Sequence, residues 1–318
     1  MGELLLRTNE IEVTIDPDHG AEILSLVEPS TGVDVMFSTP WRERAESVVR
    51  GEHHVISGDS QGRWLEQYRG GWQTLLPHAG PERVVDGATM GFHGEASMAR
   101  WTVSEHSETE ARLHCALFTV PLQVDRRVSV SGSTVTIVDE LRNVATMDVR
   151  VDYVHHPAFG GPFLEGDVQI EVGARRFVPD GDTLDARLPG EQAYLWPTVA
   201  DPERRTRPFD VVPPVGVAEV TFGTLVDFDA PWAQITNRSA GVAVRLDWDA
   251  EAMPYAWLWQ EFAHSEGWPW FRRARVIAIE PSTTPTGGPD RESVLVVPAL
   301  DQRTVEVRLT LQRIGGEG

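Results

Sequence analysis

Apolar and polar residues alternate along much of the chain, from its first strand-like run to its last. Near the N-terminus Ile11, Val13 and Ile15 are separated by polar residues, and the run Val305–Leu311 repeats the pattern near the C-terminus. Alternation with a period of two is typical of a strand that buries one face, because successive side chains point to opposite sides of a sheet. The sequence therefore predicts a chain built mainly from half-buried strands.

Further strand-like runs lie at short intervals and are separated by clusters of Pro, Gly and Asp. They occupy residues 128–141, with Ser-Gly-Ser at the turn of a hairpin, 167–172, 217–222, 242–248 and 293–300. The 28 Gly and 22 Pro disfavour a long helix, and the best helical candidate is a turn or two around Trp64–Tyr68. Residues 198–216 are predicted to form an extended loop. Because no short-period repeat favours a propeller or solenoid, we predict an all-β fold, a large antiparallel β-sandwich or barrel.

The charge balance bears on the class of partner. The formal net charge is −20, with 48 acidic against 28 basic side chains. Nucleic acid is therefore disfavoured as a partner, since phosphate binding needs clustered Lys and Arg, and an anionic membrane surface gains no attraction. No apolar run is long enough to cross a bilayer and the N-terminus has no signal-peptide pattern, so we expect a cytoplasmic protein. The single cysteine, Cys115, excludes an intramolecular disulfide and a thiolate-rich metal site.

The signatures of several common enzyme classes are missing from the sequence. It contains no Walker lysine loop, no Gly-x-Gly-x-x-Gly between strand and helix, no Gly-x-Ser-x-Gly and no His-Glu-x-x-His. Nucleotide chemistry, serine esterase chemistry and zinc proteolysis are therefore disfavoured. We expect neither a cofactor nor a metal ion.

Three acidic or histidine-bearing stretches are candidates for chemistry. Glu280 follows the apolar run Val276–Ile279 and precedes a proline, so its carboxylate either enters water where the strand ends or is held in a cleft to transfer protons. His93 and the pair His155–His156 suit general acid–base catalysis, because imidazoles titrate near physiological pH. The pair alternates on a strand, so one side chain faces inward, but the flanking residues do not decide which.

The chain carries an unusual aromatic load of eleven Trp, many of them in stretches rich in Gly and Pro. Exposed aromatic faces suit the C–H faces of a sugar ring, whereas core packing is the commoner role of any single Trp. Trp257 and Trp259 are the two that we predict to bind substrate.

Four segments resemble the aldose 1-epimerases of the galactose mutarotase-like superfamily, and they occur in that family's order. The segments are GGWQTLLPHAG (70–80), FHGEASMARW (92–101), YVHHPAFGG (153–161) and VIAIEPSTTP (276–285). The opening stretch 13–37 is also similar to the family's first strands, with Gly-Ala-x-Ile-x-Ser-Leu at 20–26. The resemblance covers nearly the whole chain. The residues in these segments are more similar to an uncharacterised branch of the superfamily than to the galactose enzymes themselves.

The resemblance implies a single domain over residues 1–318, a β-supersandwich that holds a monosaccharide in a cleft on one face. It implies that Glu280 is the general base that takes the proton of the anomeric hydroxyl. His156 is then the acid that protonates the ring oxygen, and His93 hydrogen-bonds the ring or neighbouring hydroxyls. The ring opens to a free aldehyde and recloses on its other face. Whether the protein is a monomer or a homodimer stays open.

Substrate-binding residues are harder to transfer, because the sequence departs from the family's pattern. Asp227, or the nearby Asp229, corresponds loosely to the family's substrate-binding aspartate. His155 stands where the family has Asn and is a further candidate. The family's arginine after the upstream proline segment is displaced, which leaves His78 and Arg83 as candidates to replace it.

An acidic sugar is a second possibility for the substrate. Arg63, Arg69 and Arg83 lie near the predicted cleft in sequence, and a guanidinium there would bind a carboxylate, sulfonate or phosphate substituent. Surface salt bridges are the commoner role of such arginines.

Two other functions compete with the mutarotase hypothesis. A non-catalytic carbohydrate-binding or regulatory protein would keep the cleft without turnover. A glycan lyase or hydrolase would need a second acid beside Glu280, for which Glu261 and Asp247 are the candidates.

Overall fold

Strands dominate the protein. The structure, a computed structural model, describes residues 2–181, 192–197, 208–288 and 293–314. In chain order the strands are β1 (Leu4–Arg7), β2 (Glu12–Asp16), β3 (Glu22–Glu28), β4 (Val33–Asp34), β5 (Trp72–Leu75), β6 (Arg83–Val85), β7 (Ala88–Met90), β8 (Thr102–His106), β9 (Glu110–Ala116), β10 (Leu122–Ser131), β11 (Thr134–Asn143), β12 (Val149–Val151), β13 (Val154–Gly160), β14 (Val168–Pro179), β15 (Tyr194–Leu195), β16 (Glu219–Asn237), β17 (Val242–Trp248), β18 (Tyr255–Phe262), β19 (Arg275–Ser282), β20 (Leu295–Val297) and β21 (Gln302–Arg313). The helices are α1 (Arg42–Val49), α2 (Ser60–Gln67) and a 3₁₀ turn at Gly161–Leu164.

One large sheet organises these strands. A 17-stranded sheet curls on itself into a supersandwich, and the pairs β6–β7 and β12–β20 stand apart from it. Every strand pairing between the described residues is antiparallel. The predicted all-β antiparallel fold is confirmed. None of the helices in this part of the chain is long and apolar enough to cross a membrane.

The predicted alternation decides which side chains form the core. In β2 the side chains of Val13 and Ile15 are fully buried, and β21 buries Val305 and its alternate neighbours in the same way. The predicted hairpin at 128–141 is the β10–β11 pair, which turns at Gly132 in the left-handed backbone region. One face of each strand therefore supplies the apolar layer that holds the sandwich together.

Some elements differ from the sequence-based expectation. β16 runs over Glu219–Asn237 where a strand is predicted only at 217–222, because acidic residues and a proline interrupt the apolar pattern beyond that point. The predicted strand 293–300 shrinks to β20, and α1 is not predicted, since it begins at Trp41 without a capping side chain. Of the predicted loop 198–216, residues 198–207 lie outside the described residues.

A second apolar layer covers the outer face of β13 and β19. Here α2 packs across the sheet, and the layer contains Phe37, Trp64, Leu65, Tyr68, Ala158, Ala274, Val276 and Ala278. Ala158 and Ala278 face each other across the two strands, and their small side chains leave room for the helix. The helix begins at Asp59, whose side chain accepts a hydrogen bond from the Gly62 N–H at 2.7 Å. The predicted short helix around Trp64 is confirmed.

Candidate active site

Two neighbouring strands bring His156 and Glu280 together. The register of β13 and β19 pairs Val154 with Ser282 and Ala158 with Ala278, which sets His156 opposite Glu280 on the face covered by α2. Side chains directly opposite each other on an antiparallel pair have Cβ atoms about 5 Å apart. The His156 Nε2 and Glu280 Oε1 atoms lie 3.7 Å apart.

Both members of this pair are buried and incompletely hydrogen-bonded. His156 is 5% exposed and Glu280 is 2% exposed. Among the described residues, the Nδ1 atom of His156 and the Oε2 atom of Glu280 have no hydrogen-bond partner. Burial raises the pKa of Glu280 well above its ordinary 4.5 and lowers the pKa of His156 to about 4. Both shifts favour the neutral forms, a protonated carboxyl on Glu280 and an uncharged imidazole on His156.

Aromatic side chains wall the cleft above this pair. The cleft has a volume of about 400 Å³. Its aromatic lining comprises Trp64, Tyr68, Phe92, His93, Phe222, Trp257, Trp259 and Trp270. Trp64 stacks on Tyr68 at 4.5 Å between ring centroids, and Trp259 meets Trp270 edge to face at 5.3 Å. The predicted candidates Trp257 and Trp259 both lie here, because their strand β18 pairs with β19 and sets Trp257 opposite Glu280.

His93 reaches the same cleft from a braced loop. Its ring lies 4.7 Å from that of Trp64 and 5.9 Å from that of His156. The Gly80 N–H donates to His93 Nδ1 at 3.1 Å, so the proton of the neutral imidazole sits on Nε2. Gly94 has a left-handed backbone, and a Cβ there would lie 2.5 Å from a backbone carbonyl oxygen. The loop therefore requires glycine after His93.

His78 and Arg83 brace this loop and are not part of the cleft lining. The Arg83 Nε donates to His78 Nδ1 at 3.0 Å, and its Nη2 lies 3.1 Å from the buried carboxylate of Asp152. His78 is fully buried and its Nε2 donates to the Pro81 carbonyl. Neither side chain lines the described cleft, and their predicted contact with substrate stays a prediction. They hold the turn at Gly80 that positions His93.

His155 points to the opposite face of β13. Its Nδ1 accepts a hydrogen bond from Trp72 Nε1 at 3.0 Å, and its Nε2 lies 2.8 Å from the Tyr153 hydroxyl. That hydroxyl donates to Asp139, which also forms a buried ion pair with Arg126 at 2.6 Å. Burial lowers the pKa of His155 to about 3. The ring of His155 is thus hydrogen-bonded within a core network, and its predicted contact with substrate stays a prediction.

Asp227 lies away from the cleft as well. Its side chain is 48% exposed and forms an ion pair with Arg176 on the neighbouring strand. Asp229, the alternative, forms an exposed ion pair with Arg175. Asp227 has a left-handed backbone, and β14 and β16 shift register nearby, between Val172 and Ala174. The bulged strand carries both carboxylates into solvent, outside the described cleft lining, and the predicted role of Asp227 in substrate binding stays a prediction.

The remaining predicted arginines do not line the cleft either. Arg69 is buried in an ion-pair cluster with Asp16, at 2.6 Å, and Glu22. Arg63 is an exposed residue of α2, where its Nε donates to the Ser57 carbonyl at 3.3 Å. Among the described residues, the cleft lining contains the acidic residues Asp180, Glu261 and Glu280 and neither Lys nor Arg.

Glu261 is tied into a turn at the rim of the cleft. Its Oε1 accepts from the His264 and Ser265 N–H groups at 2.6 and 3.1 Å, and its Oε2 accepts from the Ser265 hydroxyl at 2.6 Å. It lies opposite Val276 on β19, four residues from Glu280, which corresponds to about 13 Å along the strand. Asp247 is paired with Arg245 on β17 and does not line the cleft.

Several lining residues were not singled out from the sequence for substrate binding. Trp64 lies in α2 and Tyr68 directly follows it, and Trp270 packs between Trp259 and Trp41. One signal in the sequence could have indicated a helix with a buried face. Asp59 is a suitable helix cap, and the aromatic residues Trp64 and Tyr68 follow it at a spacing of four. Between the described residues, no group of three or more His, Cys, Asp and Glu side chains is arranged to hold a metal ion.

Comparisons with known proteins agree with the fold. The family model described as "Domain of unknown function (DUF4432)" matches residues 4–311. No curated protein matches the chain in sequence. The Slr1438 protein from Synechocystis sp. PCC 6803 superposes with a TM-score of 0.71 at 13% identity, covering 98% of this chain and 96% of that one.

Two further structures carry mutarotase descriptions. A galactose mutarotase-like protein from Clostridium acetobutylicum has a TM-score of 0.68 at 14% identity, with 98% of this chain and 95% of that one covered. A galactose mutarotase related enzyme from Lactobacillus acidophilus has a TM-score of 0.64 at 16% identity, with 99% and 100% covered. The chain therefore has the galactose mutarotase-like fold, and at these identities the likeness concerns the fold alone.

Proposed function

The chain belongs to the family described as a domain of unknown function, DUF4432, and we propose that it is an aldose 1-epimerase acting on a free, neutral monosaccharide. The observation that carries the proposal is the buried His156–Glu280 pair, whose Nε2 and Oε1 atoms lie 3.7 Å apart beneath an aromatic cleft. The mutarotase-like fold supports a sugar as the ligand. Aromatic walls offer flat apolar surfaces to the C–H faces of a pyranose.

Interconversion of anomers requires one base and one acid and leaves the proton count of the protein unchanged. Ionised Glu280 takes the proton from O1, and protonated His156 gives its Nε2 proton to the ring oxygen. The C1–O5 bond breaks as the C1=O1 bond forms. After rotation about C1–C2, neutral His156 takes the O5 proton and protonated Glu280 returns a proton to O1, which closes the ring on its other face.

The directions of the two pKa shifts are compatible with this scheme. Burial raises the pKa of Glu280 and lowers that of His156 to about 4, which favours the tautomer with the proton on Glu280. That tautomer is the one that recloses the ring. Transfer of the proton to His156 gives the tautomer that opens it. Hydroxyls of an entering sugar hydrogen-bond the ionised groups and thereby favour the second tautomer.

The charges around the cleft favour a neutral sugar over an acidic one. The described lining contains Asp180, Glu261 and Glu280 and neither Lys nor Arg. A carboxylate or phosphate substituent would lose hydration there without gaining an opposite charge, which is strongly unfavourable. Arg69 and Arg83, which would otherwise pair with such a group, are held by buried acids.

Glycan hydrolysis receives little support from the positions of the acids. The two carboxyl groups of a glycosidase stand about 5–10 Å apart. Glu261 lies about 13 Å along the strand from Glu280 and has its oxygens hydrogen-bonded to the 264–265 turn. A non-catalytic sugar-binding protein remains the main competitor. It predicts that Glu280→Gln binds sugar as wild type does and that the wild-type protein does not accelerate mutarotation.

Polarimetry on freshly dissolved α-anomers tests the proposal. We expect the wild-type protein to accelerate mutarotation of one or more neutral aldoses and to leave the matching uronic acids and sugar 6-phosphates at their spontaneous rates. Glu280→Gln should lose about 10²–10⁴-fold of the catalysed rate. Asp247→Asn, which removes a carboxylate outside the cleft, is the matched control and should retain the rate. Acceleration of the acidic sugars alone, or equal rates for wild type and Glu280→Gln, would contradict the proposal.

A further inference from the structure

Tyr68 brings a third polar group to the cleft floor. It follows α2 directly and its side chain is buried, and its hydroxyl has no hydrogen-bond partner within the part of the chain that the structure describes. Its ring meets that of His156 edge to face at 6.0 Å between centroids. The floor therefore holds three side chains with unsatisfied buried atoms: the hydroxyl of Tyr68, Nδ1 of His156 and Oε2 of Glu280.

An unpaired buried hydroxyl is unfavourable, because folding removes it from water without a replacement. Tyr153, the other buried tyrosine among the described residues, behaves differently. Tyr153 donates to Asp139 at 2.7 Å and lies 2.8 Å from His155. The fold thus satisfies the hydroxyl of Tyr153 within the core and leaves that of Tyr68 unsatisfied beside the cleft.

We propose that Tyr68 is a substrate-binding residue whose hydroxyl hydrogen-bonds a non-reacting hydroxyl of the bound sugar. The inference rests on the proposed function, in which Glu280 and His156 occupy the reacting oxygens O1 and O5. The remaining sugar hydroxyls then need partners among the lining groups. Tyr68 is placed for this task by its stacking on Trp64 at 4.5 Å, which fixes the plane of its ring.

The hydroxyl of Tyr68 serves as a hydrogen-bonding group and not as a proton-transfer group. Burial raises its pKa well above the ordinary value of 10, and the nearby carboxyls of Glu280 and Glu22 raise it further. It therefore stays protonated across the physiological range and both donates and accepts hydrogen bonds. This function fixes the orientation of the sugar over the acid–base pair.

Tyr68→Phe tests the proposal, because it removes the hydroxyl and keeps the ring. We expect KM for the best neutral sugar, and Kd for its binding followed by tryptophan fluorescence, to rise about fivefold to tenfold, the size of one hydrogen bond. The rate at saturation should change less than KM. Tyr255→Phe, at a half-buried tyrosine outside the cleft lining, is the matched control and should match wild type in both constants.

A deoxy-sugar series identifies the contact. Against the 2-, 3-, 4- and 6-deoxy forms of the best sugar, the penalty of Tyr68→Phe should vanish for one form and persist for the others, since only one sugar lacks the partner hydroxyl. A penalty that is the same for every form and is accompanied by a shifted pH profile would overturn the proposal. It would show that Tyr68 acts through the carboxyl of Glu280.

Thermal unfolding without sugar supplies an independent readout. Tyr68→Phe should be as stable as wild type or more stable, while Tyr153→Phe should be less stable, because only the second loses hydrogen bonds. Lower stability of Tyr68→Phe would show that its hydroxyl is already satisfied and would overturn the proposal. The two proposals can fail separately. If the protein turns over no sugar, but the Kd penalty of Tyr68→Phe vanishes for one deoxy sugar only, the proposed activity is wrong and the assignment of Tyr68 stands.

Discussion

Replacing Glu280 with Gln should stabilise the folded protein, by an amount that grows with pH. Glu280 is buried, and its pKa in the folded state is raised well above its ordinary 4.5. An unfolded chain releases this proton once the pH passes the ordinary pKa, whereas the folded protein retains it. Folding stability from this group is therefore complete below the ordinary pKa and is lost as the pH rises toward the folded-state value. Gln is neutral in both states and removes that loss.

The slope of the effect follows from proton linkage. For as long as the folded protein holds the proton and the unfolded chain does not, wild type loses about 1.4 kcal/mol per pH unit relative to Glu280→Gln. Two units above the ordinary pKa the difference in unfolding free energy amounts to about 2.7 kcal/mol, relative to its value in acid. His156 is present in both proteins, so its own titration largely cancels in the comparison.

Urea unfolding followed by tryptophan fluorescence, without sugar, at half-unit intervals from pH 4 to pH 8, measures this difference. The variant Glu251→Gln, at an exposed turn, controls for the loss of one negative charge. It should track wild type across the range. A difference between wild type and Glu280→Gln that does not change with pH would refute the reasoning, because it would mean that Glu280 is already ionised in the folded protein.

Three other predictions concern the pH profile, the core and the bulged strand. The value of kcat/KM should fall in acid, as the pair takes up a second proton on His156, whose pKa is lowered to about 4. It should also fall in alkali, as Glu280 loses the single proton that the active pair carries. A rate that rises steadily with pH would contradict a one-proton active pair. Asp139→Asn should cost about 3–5 kcal/mol of unfolding free energy, measured by urea denaturation, because it leaves the buried guanidinium of Arg126 unpaired; a loss below about 1 kcal/mol would show that the pair is dispensable. Asp227→Asn should change kcat and KM by less than about twofold, as expected for one partner of an exposed ion pair, and a tenfold rise in KM would restore it as a substrate ligand.

The fold could be predicted from the sequence because its dominant signal is local. Each half-buried strand has its own alternation of apolar and polar residues. The turn of the β10–β11 hairpin is indicated by the three residues Ser-Gly-Ser. Pairing partners far apart in the chain, such as β17 with β21, leave no comparable mark. The single-domain organisation over residues 1–318 stays a prediction.

The candidate site was predictable only in part. Glu280, His156 and His93 were predicted because their residue types carry acid–base chemistry and their segments resemble a family, and all three line the cleft. The choice between His155 and His156 could not be made from hydropathy, since every residue of β13 is buried and neither face is polar. The register with β19 decides it, and register is a tertiary property.

The positions of Asp227, His78 and Arg83 outside the described cleft lining share a cause. Each is a polar residue near the right segment, and the sequence does not reveal which polar neighbour it meets after folding. Arg83 meets the buried carboxylate of Asp152, 69 positions away along the chain, and Asp227 meets Arg176 across a bulged strand pair. Tyr68 was not predicted to contact substrate, because nothing in its local sequence shows that its hydroxyl has no hydrogen-bond partner among the described residues.

The most direct measurement is the rate of anomer exchange, by NMR magnetisation transfer on one neutral sugar, in wild type, Glu280→Gln, His156→Gln and the double variant. Because each group is useful only while the other carries or accepts the proton, each single variant should lose about 10²–10⁴-fold and the double variant should be scarcely slower than the worse single one. Exchange in the single variants that equals wild type, or losses that multiply in the double variant, would contradict a single acid–base pair at His156 and Glu280.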